Sequence, residues 1–344
     1  MKKSLFGEGR FYKANLHSHC VISDGHETPE EMKKIYKDLG YQVLAYSDHD
    51  IMIPHPELRD EDFLPLTSFE YEFTEEDTGI PYSFRKCYHM VFIADKEDKA
   101  CYPWPNPDFV WGNARKYIQP FYKGDKPHDY NIDSVNAAIA DAHEKGFLVT
   151  YCHPHWSTQT YPDYCGIEGA DFVEAFNTGC LEEGWDLDAS DYVYNDFLML
   201  KKHPAPTASD DGHYELNYGG GATYIRAKSL DYDSIFTALK NQDVYASWGP
   251  EIKDIQFDPE TMELSVSSSD AESIMIVSER RFAKRAFHKG GMHLSEAVFD
   301  LKEYLEDTKN AGIEDTAFIR VIVNDGAGRK ALSRGYFVKE LLNL

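Results

Sequence analysis

The chain has no apolar run near the roughly 20 residues that cross a bilayer. Its first eight residues carry charge and lack the apolar centre of a signal peptide. The expected location is therefore cytoplasmic, with no membrane partner. It also has no C-x-x-C pair. Its six cysteines (Cys20, Cys87, Cys101, Cys152, Cys165, Cys180) all fall in the first 180 residues, too sparse for a disulfide framework, and Cys20 and Cys152 read as small buried apolar residues. There is no Gly-rich phosphate loop, and positive charge is scarce. Lys and Arg number 35 against 59 Asp and Glu, a net charge of −24. Such a surface repels DNA, RNA and anionic lipid, so a nucleic-acid polymer is a poor partner and a small molecule a better one.

What the chain does have is histidine at the ends of strand-like runs. A length of 344 residues suits one large α/β domain plus a smaller one. Residues 11–16 read as a strand and lead into His17-Ser18-His19, whose side chains point the same way because a strand alternates with period two. Asp24 follows five residues on. Neutral imidazole with a carboxylate is a donor set for zinc, manganese or iron. Thr28, Pro29 and Glu31 then form a helix start with a capping box, and Gly40 stops that helix.

The same grammar recurs. The run 42–47 ends in Asp48-His49-Asp50, the run 63–69 in Glu70, and the run 147–152 in His153-Pro154-His155. The run 171–173 leads to Glu174 and Asn177, and 204–209 to Asp210-Asp211-Gly212-His213. Strands alternating with helices argue for parallel pairing, and in a closed β/α barrel the carboxyl-end loops share one mouth. His89 differs: most of its apolar run follows it, so its strand is expected to run the opposite way. The stretch 95–133 loses periodicity but is rich in proline and aromatic rings, which suggests an ordered lid or wall. After residue 250, short strands follow one another with turn signals, as in a small β-sandwich. The expected domains are 1–250 and 251–344.

Taken together and in order, several pieces resemble the PHP (polymerase and histidinol phosphatase) superfamily of metal-dependent phosphoesterases, over roughly residues 10–250. They are His17-x-His19, Ser23-Asp24-Gly25, Ser47-Asp48-His49, the Glu70 that closes Thr67-Ser68-Phe69, the isolated His89, His153-Pro154 and Asp211-x-His213. The run 245–250 followed by a β-rich tail looks like the two-domain CehA/McbA-type branch. The resemblance implies an α/β fold, a distorted (β/α)7 barrel followed by a β-sandwich-like domain. It also implies two or three divalent ions (Zn, Mn or Fe). His17, His19, Glu70 and Asp211 would hold the first ion. Glu70, bridging, with His89 and His153 would hold the second, and Asp24, His49 and His213 the third.

Glu72 shares a strand face with Glu70 and competes as the bridge; Asp210 competes with Asp211. Glu174 and Asn177 are expected to orient ligands from behind, with Asp210 beside them. The expected reaction is hydrolysis of a small-molecule phosphomonoester or phosphodiester by a metal-bridged hydroxide, with Asp48, His155 or a water on the third ion protonating the leaving oxygen. A carbamate or other non-phosphate ester hydrolase, an oligonucleotide exonuclease and a non-catalytic metal-binding protein are the competing readings. His26, His55, His128, His143 and His203 are expected to be structural or solvated.

Overall fold

The computed structural model describes residues 2–189, 191–288 and 293–344. The helix read at Thr28 spans Pro29–Asp38. Thr28 Oγ1 accepts from the Glu31 amide at 3.2 Å, and the Thr28 amide donates to Glu31 Oε2 at 2.9 Å. Met32 and Tyr36, one turn apart, are its buried contacts, and the chain leaves it through Gly40 at φ 80°.

That helix connects parallel strands. Arg10–Asn15, Val43–Tyr46 and Leu64–Thr74 run parallel in that order, as do Phe147–Cys152, Phe172–Asn177 and Ala205–Ser209. Between the two sets lies Cys87–Ala94, antiparallel to both neighbours, as the position of His89 in its run suggested. Ala222–Ala227 pairs antiparallel with Arg10–Asn15. The ladder is an open path through mixed strands. Its outer strand meets Ala222–Ala227 through a side chain: Thr223 Oγ1 accepts from the Ala208 amide and donates to the Ala208 carbonyl, both at 3.1 Å. The sheet thus curls, and the carboxyl ends of its parallel strands face one region.

The expected boundary at residue 250 is not a break in the ladder. Val244–Ser247 pairs with Ala222–Ala227 on one side and with Lys330–Ser333 on the other. From there the sheet continues through Phe318–Asn324 and Ser273–Ser278 to Ala283–Phe287. A second antiparallel sheet joins Lys3–Ser4, Ile252–Asp258, Glu263–Ala271 and Leu294–Asp300. The two layers bury a common core that includes Ile255, Phe257, Leu264, Ile274, Val321 and Val323. This gives the sandwich-like character expected of the tail. It also carries a helix that strand patterning missed, Lys302–Asn310, which sends Tyr304, Leu305 and Thr308 into the protein.

The aromatic stretch 95–133 is an ordered wall. Tyr102 stacks on Tyr122 at 4.1 Å and its hydroxyl accepts from the Met52 amide at 2.8 Å. A 3-10 turn at Gly112–Tyr117 follows Trp111. Among the described residues no helix is long and apolar enough to cross a membrane.

Candidate metal centre

Two backbone contacts bring the ends of the site together. The His19 amide donates to the Gly212 carbonyl, and the Asp211 amide to the His17 carbonyl, both at 3.0 Å. These bonds lock 17–19 beside 211–213 although nearly 200 residues separate them. In the same way the Asp50 amide donates to the Glu70 carbonyl at 2.8 Å, which sets His49 against Glu70. His89 stands opposite Glu72 and Cys152 in the antiparallel ladder, one residue from His153.

Glu70, fully buried, is the hub. Its Oε1 lies 3.2 Å from His17 Nε2, 2.9 Å from His89 Nδ1 and 3.4 Å from His153 Nε2. Its Oε2 lies 3.4 Å from His19 Nε2 and 3.1 Å from His49 Nδ1. Asp211 Oδ1 reaches His17 Nε2 at 3.2 Å and His19 Nε2 at 3.1 Å, and Asp211 Oδ2 reaches His153 Nε2 at 3.6 Å. Asp24 gathers the remaining rings, with His213 Nε2 at 3.4 Å, His49 Nε2 at 3.7 Å and His19 Nδ1 at 3.8 Å. All six histidines and three carboxylates expected as ligands therefore meet. Between the two competing pairs, the geometry points to Glu70 and Asp211. Among the candidate ligand rings Glu72 nears His89 alone, at 3.9 Å, and Asp210 faces elsewhere.

His17 Nε2, both ring nitrogens of His19, His89 Nε2 and Glu70 Oε2 are buried without a hydrogen-bond partner. Buried polar atoms are nearly always satisfied. So many orphaned imidazole nitrogens facing carboxylate oxygens are the donor set of borderline divalent ions, and these residues fit such ions. The electrostatics agree. Burial, with His213 and His49 alongside, lowers His19 to about 4, which keeps it neutral. Burial opposes charge on His213, but Asp24 and Asp211 outweigh it and raise that ring to about 9. Burial also works against Glu70 and Asp211, yet the surrounding rings hold both carboxyls well below the usual range.

Behind the cluster stand Glu174 and Asn177. Glu174 Oε1 lies 3.2 Å from His17 Nδ1, and its Oε2 accepts from the His153 amide at 3.1 Å and from Asn177 Nδ2 at 2.9 Å. Asn177 Nδ2 also donates to Asp211 Oδ2 at 3.2 Å. A carboxylate behind an imidazole fixes its tautomer and raises its basicity. Asp210 holds backbone instead: it accepts from the amides of Gly219, Gly220 and Gly221 at 2.7, 3.1 and 3.0 Å and from Thr178 Oγ1 at 2.6 Å. Cys152 adjoins His17, but burial pushes its thiol up to about 12, so it stays protonated and apolar.

Two expected proton donors are corrected. Asp48 points away from the rings and into the 20–23 loop, where it accepts from the Cys20 and Ser23 amides at 2.9 and 3.1 Å and from Ser23 Oγ at 2.6 Å. It is buried and does not line the cavity. His155 lies in the turn after His153 with its ring beside Tyr192, 6.5 Å between centroids, and it too is off the cavity wall. Conversely, His26, read as structural or solvated, lines the mouth.

The ligands floor a cavity of about 660 Å³. Its walls include residues the sequence reading passed over: Asp50, Tyr82, Phe109, Trp111, Trp156 and Glu183. The signals were faint, although Asp50 directly follows His49 and the two rings of 95–133 sit in the stretch already marked as a wall. No Lys or Arg lines the cavity among the described residues. Arg85, Lys86 and Arg226 are engaged elsewhere, with Asp77 at 3.4 Å, Asp163 at 2.8 Å and Asp254 at 2.9 Å.

Three strand-end residues hold left-handed backbone without being glycine: Asp50 at φ 60°, His153 at φ 23° and Asp211 at φ 49°. Such conformations persist where the surroundings over-determine them and cluster at functional sites.

No family model matches the chain, and no curated protein does. Among solved structures it is similar to a two-domain protein containing a predicted PHP-like metal-dependent phosphoesterase from Bacteroides vulgatus ATCC 8482. That match has 12% identity and a TM-score of 0.42, over 97% of this chain and 90% of that one. It is also similar to an amidohydrolase from Chromobacterium violaceum, with 13% identity and a TM-score of 0.35 over 58% of this chain and 87% of that one. The first name is that of the superfamily the motif set resembles. At these scores the site geometry stands on its own.

Proposed function

We propose that the chain is a PHP-type metal-dependent hydrolase whose curled sheet is a distorted barrel and whose substrate is a small phosphomonoester or phosphodiester. The observation that carries this reading is the set of orphaned ring nitrogens around Glu70 and Asp211. His17, His19, Glu70 and Asp211 would hold one ion, Glu70, His89 and His153 a second, and Asp24, His49 and His213 a third. Divalent ions bound there supply Lewis acidity and acidify water near neutral pH.

The chain's own residues prepare that chemistry. Glu174 orients His17 and takes the His153 amide, so two ligands from different strands move as one. Asn177 ties Glu174 to Asp211. Trp156, 5.2 Å from His153 and 5.5 Å from His89, and Trp111, 5.5 Å from His49, cover the rings and limit water around them.

The absence of Lys or Arg from the cavity among the described residues supports the second reading, a carbamate or other uncharged ester hydrolase. A phosphate-selecting site ordinarily adds guanidinium or ammonium partners to its metals. The acidic walls disfavour an oligonucleotide.

Metal analysis of the purified protein should find two or three divalent ions per chain, and His17→Ala with His19→Ala should remove both metal and turnover. A panel of phosphomonoester, phosphodiester and carbamate substrates with added manganese then separates the two readings. Full activity in a metal-free double variant would sink both.

A further inference from the structure

One wall of the cavity carries two acid side chains that stand outside the proposed ligand set. Asp50 is 4% exposed and lines the cavity, and no hydrogen bond to its carboxylate is found among the described residues. Glu72, two residues along the strand from Glu70, lines the same wall, with its Oε1 buried and unpartnered. Thr74, two further, also faces the cavity with an unpartnered hydroxyl. The period of the strand thus sets a ligand, an acid and a hydroxyl on one face.

Aromatic rings line the same cavity. Tyr82 stands beside Glu72. Phe109 stacks at 4.8 Å on His128, whose Nδ1 lies 3.2 Å from the Glu72 carbonyl. Trp111 lies 5.5 Å from His49, the residue before Asp50. Tyr82, Phe109 and Trp111 are 44%, 43% and 44% exposed, an unusual investment of large rings at an open mouth. Arg85 lies 6.0 Å from the Tyr82 centroid and is bound to Asp77 and to the Ile80 carbonyl.

A buried acid and a partly exposed one, with three aromatic rings along the same cavity and no Lys or Arg lining it among the described residues, are the chemistry that recognises an organic ammonium group. A further metal ion fits this wall less well. Hard cations take oxygen ligands and water, and ring faces offer neither.

We propose that Asp50 and Glu72, with Tyr82, Phe109 and Trp111, form a subsite for an alkylammonium group on the substrate, so that the enzyme takes a zwitterionic ester. This rests on the proposed hydrolase reading. The ester's anionic or polarised end lies toward His17, His19 and Asp211, and its ammonium lies against the acid wall.

The test compares choline with its neutral carbon isostere, 3,3-dimethylbutanol, by calorimetric titration of the metal-loaded protein. In parallel, turnover of 4-nitrophenyl phosphocholine is compared with that of the matching 3,3-dimethylbutyl diester. Choline should bind about ten-fold or more tightly than the isostere, and the charged diester should win mainly through a lower KM. Glu72→Gln, and independently Asp50→Asn, should bring the charged-to-neutral ratio toward one. Asn tolerates the left-handed backbone at position 50, so that variant keeps the local fold. Trp111→Leu, which leaves the acids in place, should lower the ratio less.

Equal binding of choline and isostere would overturn the subsite, whether or not the diesters are cleaved. Ammonium-selective binding without turnover of any ester would leave the subsite standing and overturn the hydrolase reading. Choline affinity that survives both acid substitutions would also overturn the proposal.

Discussion

Between the strand ends of residues 10–213, six histidines and three carboxylates fill a space where a fold would ordinarily place leucine. In the two layers beyond residue 250 the equivalent interior is Ile255, Phe257, Ile274, Val321 and their neighbours. Both interiors bury most of their side chains, although the polar one opens onto the cavity. The apolar one gains free energy from every methylene it hides, whereas the polar one costs free energy until its nitrogens and oxygens find a partner. On the proposed reading the apolar interior needs no further partner, and the polar one is completed by the ions it would bind.

The contrast is broken most forcefully at its hub. Glu70→Gln removes the charge shared by five imidazoles. The expected outcome is turnover below detection and the loss of at least one ion per chain in metal analysis, with the fold retained by circular dichroism. Unaltered metal content would show that the rings alone hold the ions.

The opposite substitution is Ile274→Ala in the apolar interior. It should cost about 3 kcal/mol of unfolding free energy, read by urea denaturation, and leave metal content per folded chain unchanged. A parallel loss of metal would mean that the two regions unfold as one cooperative unit, which the ladder through Val244–Ser247 makes possible.

Glu174→Gln should lie between these in effect. It keeps the shape behind His17 and removes the charge, so metal affinity should fall by about 10–100-fold, measured by competition with a chelator. An unchanged affinity would reduce Glu174 to a space filler.

The smallest effect concerns the seam between the regions. Asp191 pairs with Arg320 at 2.6 Å and Lys330 at 3.1 Å. Burial pushes its carboxyl up, but those two cations outweigh it and hold the folded-state pKa below the usual value. A depressed carboxyl contributes stability above its unfolded pKa, near 3.9, and loses it as pH falls through the folded value. Asp191→Asn should therefore destabilise at pH 7. The gap from the parent chain should close progressively below about pH 4, as followed by denaturation midpoints. A gap that widens in acid would reverse the sign argued here.

Most of the candidate ligands could be picked out because they follow strand-like runs, where local pattern reports direction; Glu70, inside Leu64–Thr74, and Asp24, in the loop before the helix, do not stand at strand ends. The misread residues mark where that rule stops. Asp48 and His49 are adjacent, so alternation sends one toward the cluster and the other behind it; residue type alone hides the difference. Glu70 and Glu72 share a face, and both reach the cavity. His155 follows His153 at the same spacing, but the chain has already turned there, with Ser157 and Thr158 amides donating back to the His153 and His155 carbonyls, so the strand period no longer applies. The pairing of Val244–Ser247 with Lys330–Ser333 joins segments over 80 residues apart, and no local signal announces it.

Asp50, His153 and Asp211 sit in backbone shapes that glycine would adopt at no steric cost. A sequence optimised for rigidity alone would place glycine at all three and gain on the order of 1 kcal/mol at each. Their side chains are instead a candidate ligand from each of two strand ends and an acid beside a third. Consensus-style stabilisation of this scaffold should therefore avoid these three positions, because the conformational discomfort there is what aims the cluster.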